Sequence, residues 1–146
     1  MAPIAVPKFA IAVDCAQQMV DVARKHAESL GKQVSIAVCD ESGFLVAFAR
    51  MDDANPSSVK IALDKAYTAA TTRIATHKWF EIVTTDEQLK VGAAVGVERM
   101  IVFGGGQPIV HEGAVIGAIG VSGGHWTGDT EIGTVALDAV GARGPE

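Results

Sequence analysis

Histidine has the widest range of chemistry among the polar residues of this chain, which contains His26, His77, His111 and His125. No two of them are four residues apart and no His-Glu-x-x-His sequence occurs, so the spacing predicts no zinc site built from protein ligands alone. His26 falls on the apolar stripe of a predicted helix. A histidine hydrogen-bonded within the core is the commoner arrangement there, and an axial ligand to a bound iron is the alternative.

Two basic side chains occupy positions suited to binding an anion. Lys65 lies on an alanine-rich face of a predicted helix, so its ammonium must reach a partner. That partner is either a bound anion or a carboxylate of the chain, for which the candidates are Asp52, Asp53 and Asp64. Arg50 ends a predicted strand, where it could hold a ligand carboxylate or fix the loop that follows.

Glycines are frequent before the last predicted helix, at Gly117, Gly120, Gly123 and Gly124. They lack the Gly-Lys-Ser/Thr of a Walker loop and the βαβ context of a dinucleotide fingerprint. Asp129 would also place a carboxylate where a phosphate should bind. The glycines are therefore predicted to permit close approach of a helix, a subunit or a ligand. Ser122 is not part of a Gly-x-Ser-x-Gly nucleophile motif.

Hydrophobic periodicity predicts a helix and then a hairpin in the first third of the chain. Residues 11–30 carry a stripe with helical spacing, formed by Cys15, Met19, Val22, His26 and Leu30. Residues 34–40 and 44–51 are predicted strands joined by a short turn. They are apolar on both faces, so the sheet must be covered on both sides. A helix capped by Ser57 or Ser58 is predicted to run to about residue 74.

The rest of the chain is predicted to contain short helical turns at 77–96, a strand at 100–103, a hairpin and a final helix. The hairpin pairs 108–111 with 114–122, Asp129 or Thr130 caps the helix that ends near 140, and residues 141–146 are expected to fray. Hairpins join most strands, so the predicted fold is a single α/β (α+β) domain over residues 1–146. It has an antiparallel sheet of about five strands flanked by helices.

Composition narrows the class of partner. The net charge is −5 and the 12 basic residues form no run, which argues against nucleic acid. The apolar segment 9–13 is too short for a membrane span or a signal peptide, and two cysteines without a CxxC spacing suit a reducing compartment, so a cytoplasmic protein is predicted. A hydrophobic content of 49%, much of it small residues, favours subunit contacts in a homo-oligomer.

Four segments of the chain resemble the GlcG/HbpS-like family, also called the heme-degrading or PduO C-terminal type domain. They are Val-Ser-Ile-Ala-Val-Cys-Asp at 34–40, Phe-Ala-Arg-Met-Asp at 48–52, Asp-Lys-Ala-Tyr-Thr-Ala at 64–69 and Val-Ile-Gly-Ala-Ile-Gly-Val-Ser-Gly-Gly at 115–124. Asp129 follows the last segment. The resemblance extends over about residues 12–140.

The resemblance implies a profilin-like fold with a five-stranded antiparallel sheet, assembled into dimers and up to octamers. It also implies a small-molecule ligand, because some members bind heme and others occur in cobalamin-related contexts. The positions that match the recurring pattern of the family, and that are expected to line a cleft, are Arg50, Lys65, Gly105, Gly106, Pro108, Ser122 and Asp129. Phe44 and Gln107 depart from that pattern. Many members have a histidine or asparagine at the position of Phe44, so the resemblance implies no heme ligand from that turn in this chain. The ligand candidates that are left are His26, His111 and His125.

Two functions, and a structural oligomer without chemistry, are consistent with these residues. In the first, the chain binds heme or a related tetrapyrrole through His26 or His111, with propionates held by Lys65, Arg50 or Arg73. In the second, it is a cofactor-independent enzyme acting on a small carboxylate or keto acid. In that case Arg50 would bind the substrate, and the general acid or base would be His111, His125 or Asp129.

Overall fold

The predicted succession of helices and strands is largely present in the computed structural model, which describes residues 1–145. Its helices are α1 (Val13–Ser29), α2 (Ser57–Thr72), α3 (Thr76–Thr85), α4 (Glu87–Gly96) and α5 (Trp126–Ala139). Its strands are β1 (Ser35–Asp40), β2 (Leu45–Arg50), β3 (Gly106–His111) and β4 (Ala114–Ser122). Over this described range, no helix combines the length and apolarity needed to cross a bilayer.

The sheet is antiparallel and has four strands in the order β2-β1-β4-β3. The prediction of about five strands is therefore wrong, because the apolar run 100–103 forms no strand. Its backbone is held by a side chain of α2 instead: the Ile101 amide donates to Thr68 Oγ1 at 3.1 Å, and Thr68 Oγ1 donates to the Arg99 carbonyl at 2.8 Å. The profilin-like comparison stays a prediction.

Helices cover both faces of the sheet, as its apolar pattern requires. On one face, Ile36, Val38, Ile119 and Val121 pack with α1 and α5 in the larger core cluster. On the other face, Ala37, Cys39 and Ala118 pack with four alanines of α2, which are Ala62, Ala66, Ala69 and Ala70. The alanine-rich face of the predicted second helix is thus a sheet-packing face.

α2 lies so close to β4 that one strand position must be glycine. A Cβ added at Gly120 would lie 2.6 Å from the Ala66 backbone nitrogen and would overlap the Ala62 carbonyl oxygen. Small side chains on both elements make this separation possible. The close contact brings the side chain of Lys65, on the same helix, to the end of β4.

α1 buries a different stripe from the one predicted. Met19 is buried as expected, but its buried neighbours are Ala16, Val20, Ala23 and Ala27. The predicted members Cys15, Val22 and His26 are only half-buried, and Leu30 is exposed. Alanine lets the helix approach the sheet closely, so the longer side chains flank the contact instead of filling it.

The C-terminal part of the chain differs from its prediction at two points. α5 begins at Trp126 and its N-cap is His125, whose side chain accepts from the Thr127 amide, so Asp129 and Thr130 lie within the first turns. The tail does not fray: Ala142 is buried, its carbonyl accepts from the Val110 amide at 2.9 Å, and Arg143 forms a bridge with Ile109. Glu146 lies outside the described residues.

The two cysteines should differ sharply in reactivity. Burial raises the pKa of the Cys39 thiol to about 12, whereas Cys15 is half-buried and its pKa is raised less by burial. At pH 8 iodoacetamide should therefore alkylate Cys15 well before Cys39, since the thiolate is the nucleophile. Peptide mass mapping measures both rates, and the protein unfolded in urea is the control, where the rates should converge. Equal rates in the folded protein would contradict the burial of Cys39.

Candidate functional site

Lys65 and Asp129 form an ion pair inside the protein, although they lie on helices that cover opposite faces of the sheet. Their side chains are 1% and 2% exposed, and Lys65 Nζ is 3.2 Å from Asp129 Oδ2. The same nitrogen donates to the Val121 carbonyl at 2.8 Å. The prediction that Lys65 pairs with Asp52, Asp53 or Asp64 is therefore wrong. Asp64 is instead paired with Lys60 and, at 2.7 Å, with Arg99.

The loop before α5 fixes the orientation of the Asp129 carboxylate. The Gly124 amide donates to Asp129 Oδ1 at 3.1 Å, so each carboxylate oxygen has its own partner. Asp129 also lies in the first turn of α5, where a negative charge is favoured by the helix dipole. Two hydrogen bonds therefore fix the orientation of the carboxylate.

Gly105 and Phe103 enclose the Lys65 ammonium from the side of the preceding loop. Gly105 has a φ of 129°, and a Cβ there would lie 2.6 Å from Lys65 Nζ. Lys65 Nζ is 5.0 Å from the centroid of the half-exposed Phe103 ring, within cation–π range. Glycine at 105 thus leaves the space that the lysine end group occupies.

Burial has opposite effects on the two partners. It lowers the pKa of Lys65, against the opposing effect of the Asp129 charge, because a charged amine is poorly solvated there. It also raises the pKa of Asp129, against the opposing effect of Lys65. Burial of the pair thus reduces the free-energy difference between its ionic form and its neutral form, in which Lys65 is an amine and Asp129 a carboxylic acid.

The pair opens onto a small pocket of about 200 Å³, here called the ion-pair pocket. It is lined by Asn55, Ser57, Ser58, Ile61, Lys65, Phe103, Ser122, Gly123, Gly124, Trp126 and Asp129. Ser58 is engaged with Ser35 at 2.8 Å and with the Asn55 carbonyl. Of the predicted site residues, Lys65, Ser122 and Asp129 meet in this pocket, with Gly105 directly behind the lysine.

The other predicted site residues lie elsewhere. Arg50 donates to the Ala54 carbonyl at 2.9 Å and so fixes the following loop, which was one of its two predicted roles. The Gly106 amide donates to Thr76 Oγ1 at 2.9 Å, and a Cβ at Gly106 would press on the α2 backbone. Pro108 lies on edge strand β3 and lines a different cavity.

None of the three predicted histidines lines the ion-pair pocket or the larger cavity described next. His26 Nε2 is 3.6 Å from Glu131 Oε1, too long for a hydrogen bond, and this buried nitrogen has no partner. His111 is exposed in the β3–β4 hairpin beside Glu112. His125 is exposed and its Nδ1 lies 2.8 Å from Thr127 Oγ1.

A larger cavity of about 730 Å³, here called the edge cleft, lies along β3. Its apolar lining includes Ile74, Ala75, Pro108, Val110, Val115 and Leu137, and its cations are Arg73, Lys78 and Arg143. His77, which sequence reasoning did not single out, also lines it. Its Nδ1 is buried without a hydrogen-bond partner, and burial, reinforced by Lys78, lowers its pKa.

A family model described as "Haem degrading protein HbpS-like" matches residues 11–138. The chain belongs to the HbpS-like family. The resemblance identified from four sequence segments is thereby confirmed. The GlcG protein of Escherichia coli strain K12 is 35% identical over 115 residues, which are 79% of this chain and 83% of GlcG.

Solved structures of similar proteins show the same fold. Klebsiella pneumoniae protein ORFY has a TM-score of 0.91 and 33% identity, with 99% of each chain covered. A structure described as a PduOC:heme complex has a TM-score of 0.85 and 28% identity, covering 91% of this chain and 96% of that chain. The arrangement of helices and strands described above is thus shared with these two proteins.

Removing the carboxylate of Asp129 should destabilise the protein strongly. Asp129→Ala leaves the Lys65 ammonium buried without a counter-charge, which typically costs about 3–5 kcal/mol of unfolding free energy. Urea unfolding followed by circular dichroism measures the loss. Glu28→Ala is the control, because it breaks the exposed Arg24–Glu28 pair and should cost no more than about 0.5 kcal/mol. Similar losses for the two variants would contradict this assignment.

Proposed function

We propose that this chain binds heme or a related tetrapyrrole in the edge cleft, with His77 as the axial ligand to the metal. The observation that carries the proposal is His77, which lines a large, mostly apolar cavity and has a buried Nδ1 without a hydrogen-bond partner. Buried nitrogens are normally hydrogen-bonded, so an orphaned Nδ1 in a residue that lines a cavity calls for an explanation such as a ligand.

The edge cleft has the chemical groups that a tetrapyrrole requires. Its volume of about 730 Å³ lies within the usual range for small-molecule sites. Apolar side chains from β3, β4 and α5 suit the macrocycle, and Arg73 and Lys78 could pair with propionates. Arg143 is a third cation, although it already pairs with Asp138 at 3.1 Å. Arg73 was among the predicted propionate ligands.

The lowered pKa of His77 suits metal ligation. Iron binds the neutral imidazole, and burial keeps this ring neutral near pH 7. When bound, heme would supply an iron centre, and His77 would occupy one of its coordination positions. The chain's own residues would hold the ring through His77, exclude water with the apolar lining and fix its orientation through the cations.

Similar proteins support the same ligand. The PduOC structure is described as a heme complex, and the matching family model names haem degradation. Both descriptions concern other proteins, and they point to heme as the first tetrapyrrole to test. The expected ligands His26 and His111 remain alternatives to His77, and the test below separates them.

Titrating the purified protein with hemin should shift the Soret band, and His77→Ala should remove most of the shift. The reason is that alanine cannot donate an electron pair to iron. Absorbance titration gives the Kd, for which we expect an increase of about tenfold or more, as for the loss of one good ligand contact.

His111→Ala is the matched control, because His111 lies on the exposed hairpin and should leave the spectrum unchanged. His26→Ala tests the sequence-based ligand. Loss of the Soret shift in His26→Ala or His111→Ala, with retention in His77→Ala, would contradict the edge cleft and favour the earlier candidates. A spectrum of free hemin with the unmodified protein would contradict tetrapyrrole binding itself.

We also infer that identical copies associate, as the small-residue composition predicts. Large apolar side chains on α3 and α4 are exposed, among them Phe80 at 54%, Val91 at 77% and Val95 at 89%. Apolar side chains exposed together on one helical pair are typical of protein contacts.

Sedimentation velocity at micromolar concentration should therefore give a mass above that of one chain. Val91→Glu and Val95→Glu together should lower that mass, because they would bury charge in the contact. Val13→Glu, at an exposed position on α1, is the control. An unmodified protein that sediments as a single chain would contradict self-association.

A further inference from the structure

We propose that the ion-pair pocket is a second ligand site, separate from the edge cleft, which takes a short uncharged aldehyde and holds it as an imine on Lys65 Nζ. The two cavities share no lining residue, so this inference does not depend on tetrapyrrole binding. It rests on the way the lysine end group is partnered, on the space in front of it and on the acid beside it.

Lys65 has one more bonding position than its protein partners use. Its Nζ has two hydrogen-bond acceptors, the Val121 carbonyl and Asp129 Oδ2. An ammonium carries three N–H donors, and a neutral amine carries two donors and one lone pair. Two acceptors therefore leave one N–H of the ammonium unpaired. After proton transfer to Asp129, the amine lone pair accepts from the new carboxyl O–H, one N–H donates to the Val121 carbonyl and the other N–H is unpaired.

The space around that position suits a small electrophile. The Phe103 ring stands 5.0 Å from Lys65 Nζ, and both residues line the ion-pair pocket. The pocket of about 200 Å³ has room for a molecule of a few heavy atoms and none for a tetrapyrrole. The neutral amine is the form of lysine that reacts with carbonyl compounds, and desolvation favours that form over the ammonium.

Asp129 is placed to carry the proton through the reaction. The Lys65 ammonium first gives a proton to Asp129, which leaves a neutral amine and a carboxylic acid. The amine then rotates about its Cε–Nζ bond, which turns the lone pair from Asp129 to the carbonyl carbon. The C–N bond forms while the carbonyl π bond breaks, and Asp129 protonates the new alkoxide. The nitrogen returns a proton to Asp129, the C–O bond breaks, and the hydroxyl leaves as water with that proton. One amine and one aldehyde thus give one imine and one water.

The charge of the lining favours an uncharged aldehyde over an oxo acid. The only ionised side chains that line the pocket within residues 1–145 are Lys65 and Asp129, which neutralise each other. A ligand carboxylate would therefore be buried near Asp129 without a counter-charge of its own. Asn55, Ser57 and Ser122 offer hydrogen bonds to a ligand hydroxyl instead, so glycolaldehyde is the probe of choice.

The test is reductive trapping of the full chain with glycolaldehyde and cyanoborohydride, followed by peptide mass mapping. Lys60 is an internal control one turn earlier on the same helix, where its side chain is 80% exposed. We expect Lys65 to be trapped on the order of tenfold faster than Lys60, because burial lowers the pKa of Lys65 and so raises its fraction of neutral amine. In protein unfolded with urea, the two rates should be equal. Glyoxylate, of similar size but charged, should trap Lys65 more slowly than glycolaldehyde.

Two variants separate this site from general lysine reactivity. Lys65→Arg keeps the positive charge beside Asp129 but cannot form an imine, so the fast phase should disappear while circular dichroism shows an intact fold. Lys60→Arg should leave the fast phase unchanged. His77→Ala should also retain it, so a failure of the tetrapyrrole proposal would leave this result standing. Trapping of Lys65 no faster than Lys60 in the folded, unmodified protein would overturn the proposal.

Discussion

A buried Lys65 ammonium requires a buried carboxylate beside it. This requirement determines where α2 and α5, the helices that carry the two partners, come together. Lys65 lies on α2, which covers one face of the sheet, and Asp129 lies on α5, which covers the other. They meet at the C-terminal end of β4, where the Val121 carbonyl accepts from Lys65 and the Gly124 amide donates to Asp129. The close packing at Gly120 and the missing side chain at Gly105 both serve to bring the lysine to that point.

Most of the fold could be predicted from the sequence because its signals are local. The alternating apolar strands, the Glu112-Gly113 turn and the alanine-rich face of α2 each depend on neighbours in the chain. At residues 100–103, local sequence patterns are not sufficient to predict the secondary structure. The composition of this run suits a strand, but Thr68 supplies hydrogen bonds that a neighbouring strand would otherwise provide. A partner 33 residues away in the chain leaves no periodic trace.

The candidate site was only partly predictable for the same reason. The alanine-rich surroundings of Lys65 correctly indicated that its ammonium needs a partner, but local carboxylates were expected and Asp129 is 64 residues away. The sequence suggested Asp129 as a helix cap. The cap is instead His125, and Asp129 lies three residues after the start of α5. His77 gave no signal at all, because a single histidine on a short helix has no spacing that relates it to the cavity along β3.

The packing of the tail on β3 covers part of one edge of the sheet, so the two edges differ in how open they are to a further strand. The Ala142 carbonyl and the bridge from Arg143 to Ile109 occupy backbone groups that an edge strand usually leaves free. β2, at the opposite end of the strand order, has only β1 beside it over the described residues. The free sheet edge for a strand of another chain is therefore next to β2, on the side away from the edge cleft, and a strand added there would leave that cavity accessible.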